Sequence, residues 1–134
     1  INNSKEKNFL VFNPDTIWNK NYINEIQNME KFYFENNIEN ILLVVEKSNS
    51  YDQRITGDFS IEKNILSKSS NKNFIFTGCQ ILNKSIFEDY KIEKFPINTI
   101  WEKMISQNRL YGYKSVGKFT HLTDIEIYNK LVKI

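Results

Sequence analysis

Two kinds of apolar spacing alternate along this chain. Phe9-Leu10-Val11-Phe12 and Ile41-Leu42-Leu43-Val44-Val45 are short unbroken runs, the pattern of strands covered on both faces. Between them, Ile23, Ile26, Met29 and Tyr33 recur at three- and four-residue spacing, which predicts an amphipathic helix over roughly Tyr22 to Asn36. Asn13-Pro14 stops the first run, because proline holds the preceding residue extended and donates no ladder hydrogen bond. Strand, helix and strand in close succession predict a βαβ unit with a parallel pairing.

The stretch from Glu46 to Lys72 is polar and rich in turn formers. Within it, Asp58-Phe59-Ser60-Ile61 alternates and Ile65-Leu66 follows Lys63-Asn64, which predicts a hairpin of short strands. Phe74-Ile75-Phe76-Thr77 reads as a strand ended by Gly78, with Gln80-Ile81-Leu82 as a continuation, and a short helix is expected near Ser85 to Tyr90. Pro96 introduces a firmer helix, Ile97 to Gln107, whose Ile97, Ile100, Trp101, Met104 and Ile105 share a face. Leu110 to Tyr113 is a strand, Gly117 a turn, and Phe119 to Leu122 extended. A last helix opens at Thr123-Asp124, where Thr123 and Glu126 have capping-box spacing. No repeat or linker interrupts the pattern, so residues 1–134 are read as part of one α/β domain.

Composition narrows the function classes. The 134 residues are 40% hydrophobic with a formal net charge of +2, which suits a globular chain and excludes disorder by composition. No dense basic block marks a nucleic-acid binder. No apolar run approaches bilayer-spanning length, and Ile1 to Lys5 lacks a signal peptide's apolar stretch. Cys79 is the one cysteine, which excludes an internal disulfide, and a reducing cytoplasm is the expected location. The chain contains no alanine but abundant Asn, Ile and Lys, so many surface Asn and Lys residues carry little functional information.

Candidate chemistry gathers after the first strand. In an open α/β sheet, ligands collect beyond the carboxyl ends of the strands, and Asp15 stands there, three residues past Phe12. A carboxylate so placed suits a hard cation such as magnesium, which takes one or two carboxylates plus phosphate and water oxygens. Asn13-Pro14-Asp15 is equally well read as an ordinary turn. His121 is the single histidine, more in keeping with a structural hydrogen bond than with a metal ligand. Cys79 is expected in the core, and Trp18 and Trp101 as packing anchors. Gly57 offers either a close backbone approach to a ligand or a plain turn.

Taken in order, several segments resemble the sugar-1-phosphate nucleotidyltransferases. The nearest branch contains N-acetylmuramate-1-phosphate uridylyltransferase and mannose-1-phosphate guanylyltransferase-like proteins. Phe9 to Trp18 is similar to that branch's strand followed by Asn-x-Asp, here Asn13-Pro14-Asp15. Tyr51-Asp52 with Gly57-Asp58-Phe59 resembles the loop that closes over the sugar, and Phe76-Thr77-Gly78-Cys79-Gln80 the strand lining the sugar pocket. Phe95 to Trp101, Arg109 to Gly112 and Gly117 to Leu122 resemble the family's late helix, strand and final connection. No single motif is specific; their order across nearly the whole chain is.

The resemblance implies a Rossmann-like fold with a mixed, mostly parallel sheet flanked by helices. It implies transfer of a nucleotidyl group from a nucleoside triphosphate to a sugar 1-phosphate, in nucleotide-sugar supply for the cell envelope, with Mg2+ as cofactor. Asp15 would be the catalytic and metal-binding residue and His121 a second metal contact. Asn13, Gly57, Asp58, Thr77 and Gly78 would bind substrate. There are three departures. The family's glycine-rich nucleotide-binding segment has no counterpart in Ile1 to Asn8. His121 stands where many members have aspartate, although magnesium prefers oxygen. The usual Gly-Thr-Pro after it reads Thr123-Asp124-Ile125. Residues 1–134 alone are therefore expected to be inactive and to expose apolar strand edges.

Two rival readings remain open. One is a non-catalytic α/β binding module or the remnant of a split gene. The other is a receiver- or phosphatase-like domain using Asp15 as phospho-acceptor, which lacks its further acidic residues and lysine here. Which sugar, which base and which oligomeric state apply is not legible in these residues.

Overall fold

A computed structural model describes residues 7–12, 20–53, 55–69, 71–87, 97–117 and 119, with the side chains of Asn21 and Asn98 outside the description. Its elements are β1 (Asn8–Phe12), α1 (Lys20–Glu35), β2 (Asn40–Glu46), β3 (Ser60–Glu62), β4 (Ile65–Ser67), β5 (Phe74–Asn83), α2 (Ile97–Ser106) and β6 (Tyr111–Ser115). The strands form a six-stranded sheet in the order β1-β5-β2-β6-β4-β3. Short 3-10 turns follow β2 at Lys47–Asn49 and β5 at Lys84–Phe87.

The mixed α/β architecture is the one expected, with one change in connection. β1 and β2 run in the same direction but are not neighbours. β5 lies between them, antiparallel to both, pairing Phe12 with Cys79 on one side and Ile41 with Ile81 on the other. Among the described strands only β2 and β6 pair in parallel, so the sheet is mixed as expected but mostly antiparallel, not mostly parallel. The βαβ unit is thus split by a strand from later in the chain. Apolar periodicity reports burial, not which strand is adjacent, so this insertion left no mark in the pattern.

Gly78 does not end a strand. β5 continues through it for ten residues, and the glycine adopts φ 98° inside the strand. Between the pairs Leu42–Gln80 and Val44–Phe76, β5 advances four residues while β2 advances two. The extra residues form a bulge, and glycine meets the positive φ without a Cβ clash. Thr77 closes the gap: its hydroxyl donates to the Leu43 carbonyl at 2.8 Å and accepts from the Cys79 amide at 3.4 Å.

Both helices end in the same way. Asn37 (φ 52°) follows α1 and Asn108 (φ 56°) follows α2. The amides of Ile38 and Arg109 reach back to the carbonyls of Tyr33 (3.1 Å) and Met104 (2.8 Å). These are Schellman closures with asparagine in the left-handed position usually given to glycine. The hairpin turn has Lys63 (φ 51°) and Asn64 (φ 67°), the geometry that joins two-residue hairpins without splaying the strands. Asn64 also fastens the turn to β6, exchanging bonds with Gly112 through its carbonyl (2.8 Å) and side-chain amide (3.0 Å).

Two apolar layers sandwich the sheet. On one face α1 buries Tyr22, Met29 and Tyr33 against Ile41, Leu43, Cys79 and Ile81. Ile23, expected on that face, is 57% exposed, and Tyr22 takes its place. On the other face α2 sets Ile100, Trp101 and Met104 against Leu42, Val44, Phe59 and Leu66. Trp101 is the anchor expected, edge-on to Phe76 at 5.2 Å and Phe59 at 6.0 Å. Its indole N–H donates to Asn40, whose amide donates in turn to Gln80 and to the Ile81 carbonyl. Burial pushes the Cys79 thiol up to about 12, so it behaves as a small core residue.

β1 departs furthest from expectation. It is the outermost strand, and Phe9, Leu10, Val11 and Phe12 are 42–48% exposed instead of covered on both faces. Such a run states what a strand is fit to bury, not whether a covering layer is present. The separate expectation of an exposed apolar edge is met. Pro96, Trp18 and the final helix from Thr123 lie outside the described residues.

Two stability effects follow. A Cβ on Gly112 would sit 2.5 Å from Leu66 Cδ2 and 3.0 Å from Ile61 Cδ1. Gly112→Ala is expected to lose about 1–3 kcal/mol in urea unfolding. At the amino ends of the strands, Glu39 accepts from Ser85 Oγ and from Arg109. The Ser85 bond chiefly, then Arg109, holds its carboxyl below the ordinary value against the opposing effect of partial burial. A depressed folded-state pKa gives stability that is complete above the ordinary value and lost as pH falls through the folded one. Unfolding midpoints should therefore decline below pH 4.5, and Glu39→Gln should flatten that acid limb.

Candidate functional site

The parallel strands β1, β2 and β6 all end on one side of the sheet, at Phe12, Glu46 and Ser115. β5 begins on that side at Phe74, because it runs against them. The connections around residues 47–59, 68–73 and 116–119 therefore assemble at one rim, where ligands settle in open α/β sheets. A small apolar cluster of Val45, Ile75 and Phe119 supports the rim from below.

Among the described residues, the last pair of β1 along β5's outer edge is Phe12 with Cys79. Further along the same edge, Phe59 exchanges backbone bonds with Phe74 (both 3.0 Å), and Asp58 Oδ2 accepts the Phe76 amide at 3.0 Å. Backbone bonding alternates along an antiparallel strand, so Phe74 and Phe76, though opposite Glu46 and Val44 of β2, turn their backbone groups to the other edge. Thr77 and Gly78 lie between these two attachments. Both are buried, and they sit between the end of β1 and the exposed Asp58 carboxylate. Three sequence-predicted residues, Asp58, Thr77 and Gly78, are brought together there, and Gly57 adjoins them.

Their side chains do different work from that expected. Thr77 is buried, with its hydroxyl spent on Leu43 and Cys79. Gly78 supplies the bulge. A Cβ on Gly57 would lie 1.7 Å from the Lys72 carbonyl oxygen, so the close approach is to the protein's own backbone. Asp58 is exposed and caps the strand through Phe76. Asn13, Asp15 and His121 lie outside the described residues.

Two contributors carried no sequence signal. Glu25, in the second turn of α1, accepts Ser115 Oγ at 2.9 Å through one oxygen and the Val116 amide at 2.8 Å through the other. Beside it, Tyr22 has its phenol pushed up to about 12, first by burial and then by the Glu25 charge, with a Ser115 hydrogen bond opposing. A glutamate on a polar helix face has no distinguishing pattern, and its partners are ninety residues away.

No protein-family model and no curated protein sequence matches the chain. Solved structures do. The chain is similar to the inositol-1-phosphate CTP transferase from T. maritima, with TM-score 0.66 and 13% identity over 94% of this chain and 53% of that one. A proposed glucose-1-phosphate thymidylyltransferase from Bacillus anthracis, crystallised with sucrose, gives 0.69 and 14% over 95% and 54%. An apo UDP-glucose pyrophosphorylase gives 0.61 and 19% over 95% and 55%. The chain has the nucleotidyltransferase fold. These neighbours are sugar-1-phosphate nucleotidyltransferases, the family the sequence motifs resemble, and the chain spans about half their length. At such identities, what is shared is the fold.

Within the nucleotidyltransferase fold as described, no group of three or more His, Cys, Asp or Glu side chains gathers for a metal. Glu25 and Asp58 are engaged with protein donors. No described helix is long and apolar enough to cross a membrane. Gly57→Ala is expected to lower stability by at least about 2 kcal/mol, since the clash is with backbone. Chemical denaturation measures this; a variant as stable as the parent would return Gly57 to the list of ligand-facing positions.

Proposed function

We propose that this chain forms the part of a sugar-1-phosphate nucleotidyltransferase that receives the sugar phosphate. The observation that carries the reading is the reversed strand β5 set between β1 and β2, with its bulge at Thr77–Gly78 beside the end of β1. The fold as a whole is similar to the neighbours over 94–95% of the chain, which supports the reading. Asn13 and Asp15 follow β1 directly in sequence, which supports assigning them to the same rim.

The reaction asks little of acid–base chemistry. The attacking oxygen belongs to a phosphate already anionic at neutral pH, and it displaces pyrophosphate from the α-phosphorus of a nucleoside triphosphate. The difficulty is bringing two polyanions together in line, so charge neutralisation and positioning do most of the work. Magnesium would supply that neutralisation when bound. The donor chemistry fits through Asp15, since magnesium accepts one carboxylate plus phosphate oxygens and water. His121 is a poor direct ligand and serves better through an intervening water. Asn13 would orient the sugar phosphate, and Asp58 with the bulged backbone at Gly78 would set the shape of the pocket. Thr77 and Gly57 contribute through the scaffold.

The test is pyrophosphate release by the complete gene product against a panel of nucleoside triphosphates and sugar 1-phosphates with Mg2+. One pair should support turnover. Asp15→Asn should lower kcat by about 100-fold or more with an unchanged unfolding midpoint. Residues 1–134 alone should release none. A folded product inactive with every pair would overturn the reading in favour of a non-catalytic module. Near-normal turnover by Asp15→Asn would remove that residue from the site.

A further inference from the structure

We propose that Glu25 is a positioning residue for this site, holding the chain that leaves β6 against α1. The proposal rests on the functional reading above for the site's identity, but not for its geometry. Val116 is 87% exposed, so side-chain packing does not define the turn after β6. Hydrogen bonds do. Each Glu25 oxygen takes a different donor, Ser115 Oγ and the Val116 amide, and Ser115 Oγ accepts the Gly117 amide at 3.3 Å. One carboxylate thereby orients three successive residues at the rim.

The far side of the turn is fixed independently. The Phe119 amide donates to the Asn49 carbonyl at 2.9 Å, and its carbonyl accepts the Tyr51 amide at 2.7 Å. Phe119 itself is buried with Val45 and Ile75. The connection after β6 is thus pinned at Phe119 by the loop after β2, and at Ser115–Gly117 by α1. Removing the first pin would disrupt the core. Removing the second frees only the rim. Glu25 therefore acts on the placement of the turn more than on global stability, which distinguishes a positioning role from a structural one.

The experiment compares Glu25→Ala, Glu25→Gln and Asp15→Asn in the complete gene product, measuring kcat, KM for the sugar 1-phosphate and the unfolding midpoint. Glu25→Ala should raise KM about tenfold while kcat falls less, because charge-assisted bonds that set geometry are lost. Glu25→Gln should recover most of that loss, since an amide accepts from Val116 through its oxygen and donates to Ser115 through its nitrogen. Amide exchange supplies a readout free of activity: Val116 and Gly117 should exchange about tenfold faster in Glu25→Ala, with Phe119 unchanged. Unchanged exchange at Val116, or a lowered midpoint with KM intact, would overturn the proposal. If Glu25→Ala fails to fold, the positioning role is overturned in favour of a structural one. Loss of turnover in Asp15→Asn with no KM effect at Glu25 rejects this inference alone; normal turnover in Asp15→Asn rejects the assignment of Asp15 instead.

Discussion

The structure depends on one reversed strand. β5 runs against β1 and β2 while pairing with both, so nearly every element is positioned by reference to it. An antiparallel strand between two parallel ones begins where its neighbours end, which brings the loop before it to the rim that collects theirs. Its bulge at Thr77–Gly78 is costly in ladder bonds, and the protein recovers one by lending the Thr77 hydroxyl to Leu43. A valine there would leave the Leu43 carbonyl buried without that donor. The bulge is thus a built feature whose chemistry is distributed over a glycine, a hydroxyl and a carbonyl on the neighbouring strand.

The same economy governs the sheet's interior. Asn40 is fully buried, as are few side chains of its polarity, and it is satisfied on every side. It accepts from the Trp101 indole and donates to Gln80 and the Ile81 carbonyl. The contact locks α2 to one register over β2, because an apolar residue at position 40 would leave the indole N–H without its acceptor. Among the described residues, no buried side-chain nitrogen or oxygen lacks a partner. Polar pairing fixes where the helix sits, and the aromatic contacts of Trp101 with Phe59 and Phe76 supply the buried area.

Local signals were legible in the sequence wherever the physics is local. The turn at Lys63-Asn64, the halt at Asn36-Asn37 and the apolar face of α2 depend on neighbouring residues, and each appears where spacing predicts it. Errors arose where burial depended on distant partners. Phe9 to Phe12 has the composition of a central strand, yet forms the outer strand of this sheet. Gly78 read as a stop because a lone glycine has the same local signature in a turn and in a bulge; only the pairing of both flanks with β2 separates the two. Glu25 was invisible because its role exists only once β6 has been brought beside α1.

The site residues divide along the same line. Gly57, Thr77 and Gly78 were expected to meet substrate, and the structure gives each a role in the protein's own packing. Gly57 permits the backbone to approach Lys72, Thr77 bridges to β2, and Gly78 bends the strand. A position that must be glycine for the protein's own packing looks, in one sequence, the same as one kept bare for a ligand. The distinction matters for substitution. Changing a residue kept for the protein's own packing lowers stability, whereas changing one that faces a ligand would lower binding alone. Asp58 sits between these cases. Its Oδ2 is bound to the Phe76 amide while the residue remains exposed, so the group that caps β5 also presents a negative wall at the rim. An anionic sugar phosphate would be repelled by that wall unless hydroxyls of the sugar faced it. Were the proposed sugar phosphate bound here, the carboxylate would therefore favour the phosphate towards the end of β1 and the sugar towards Asp58.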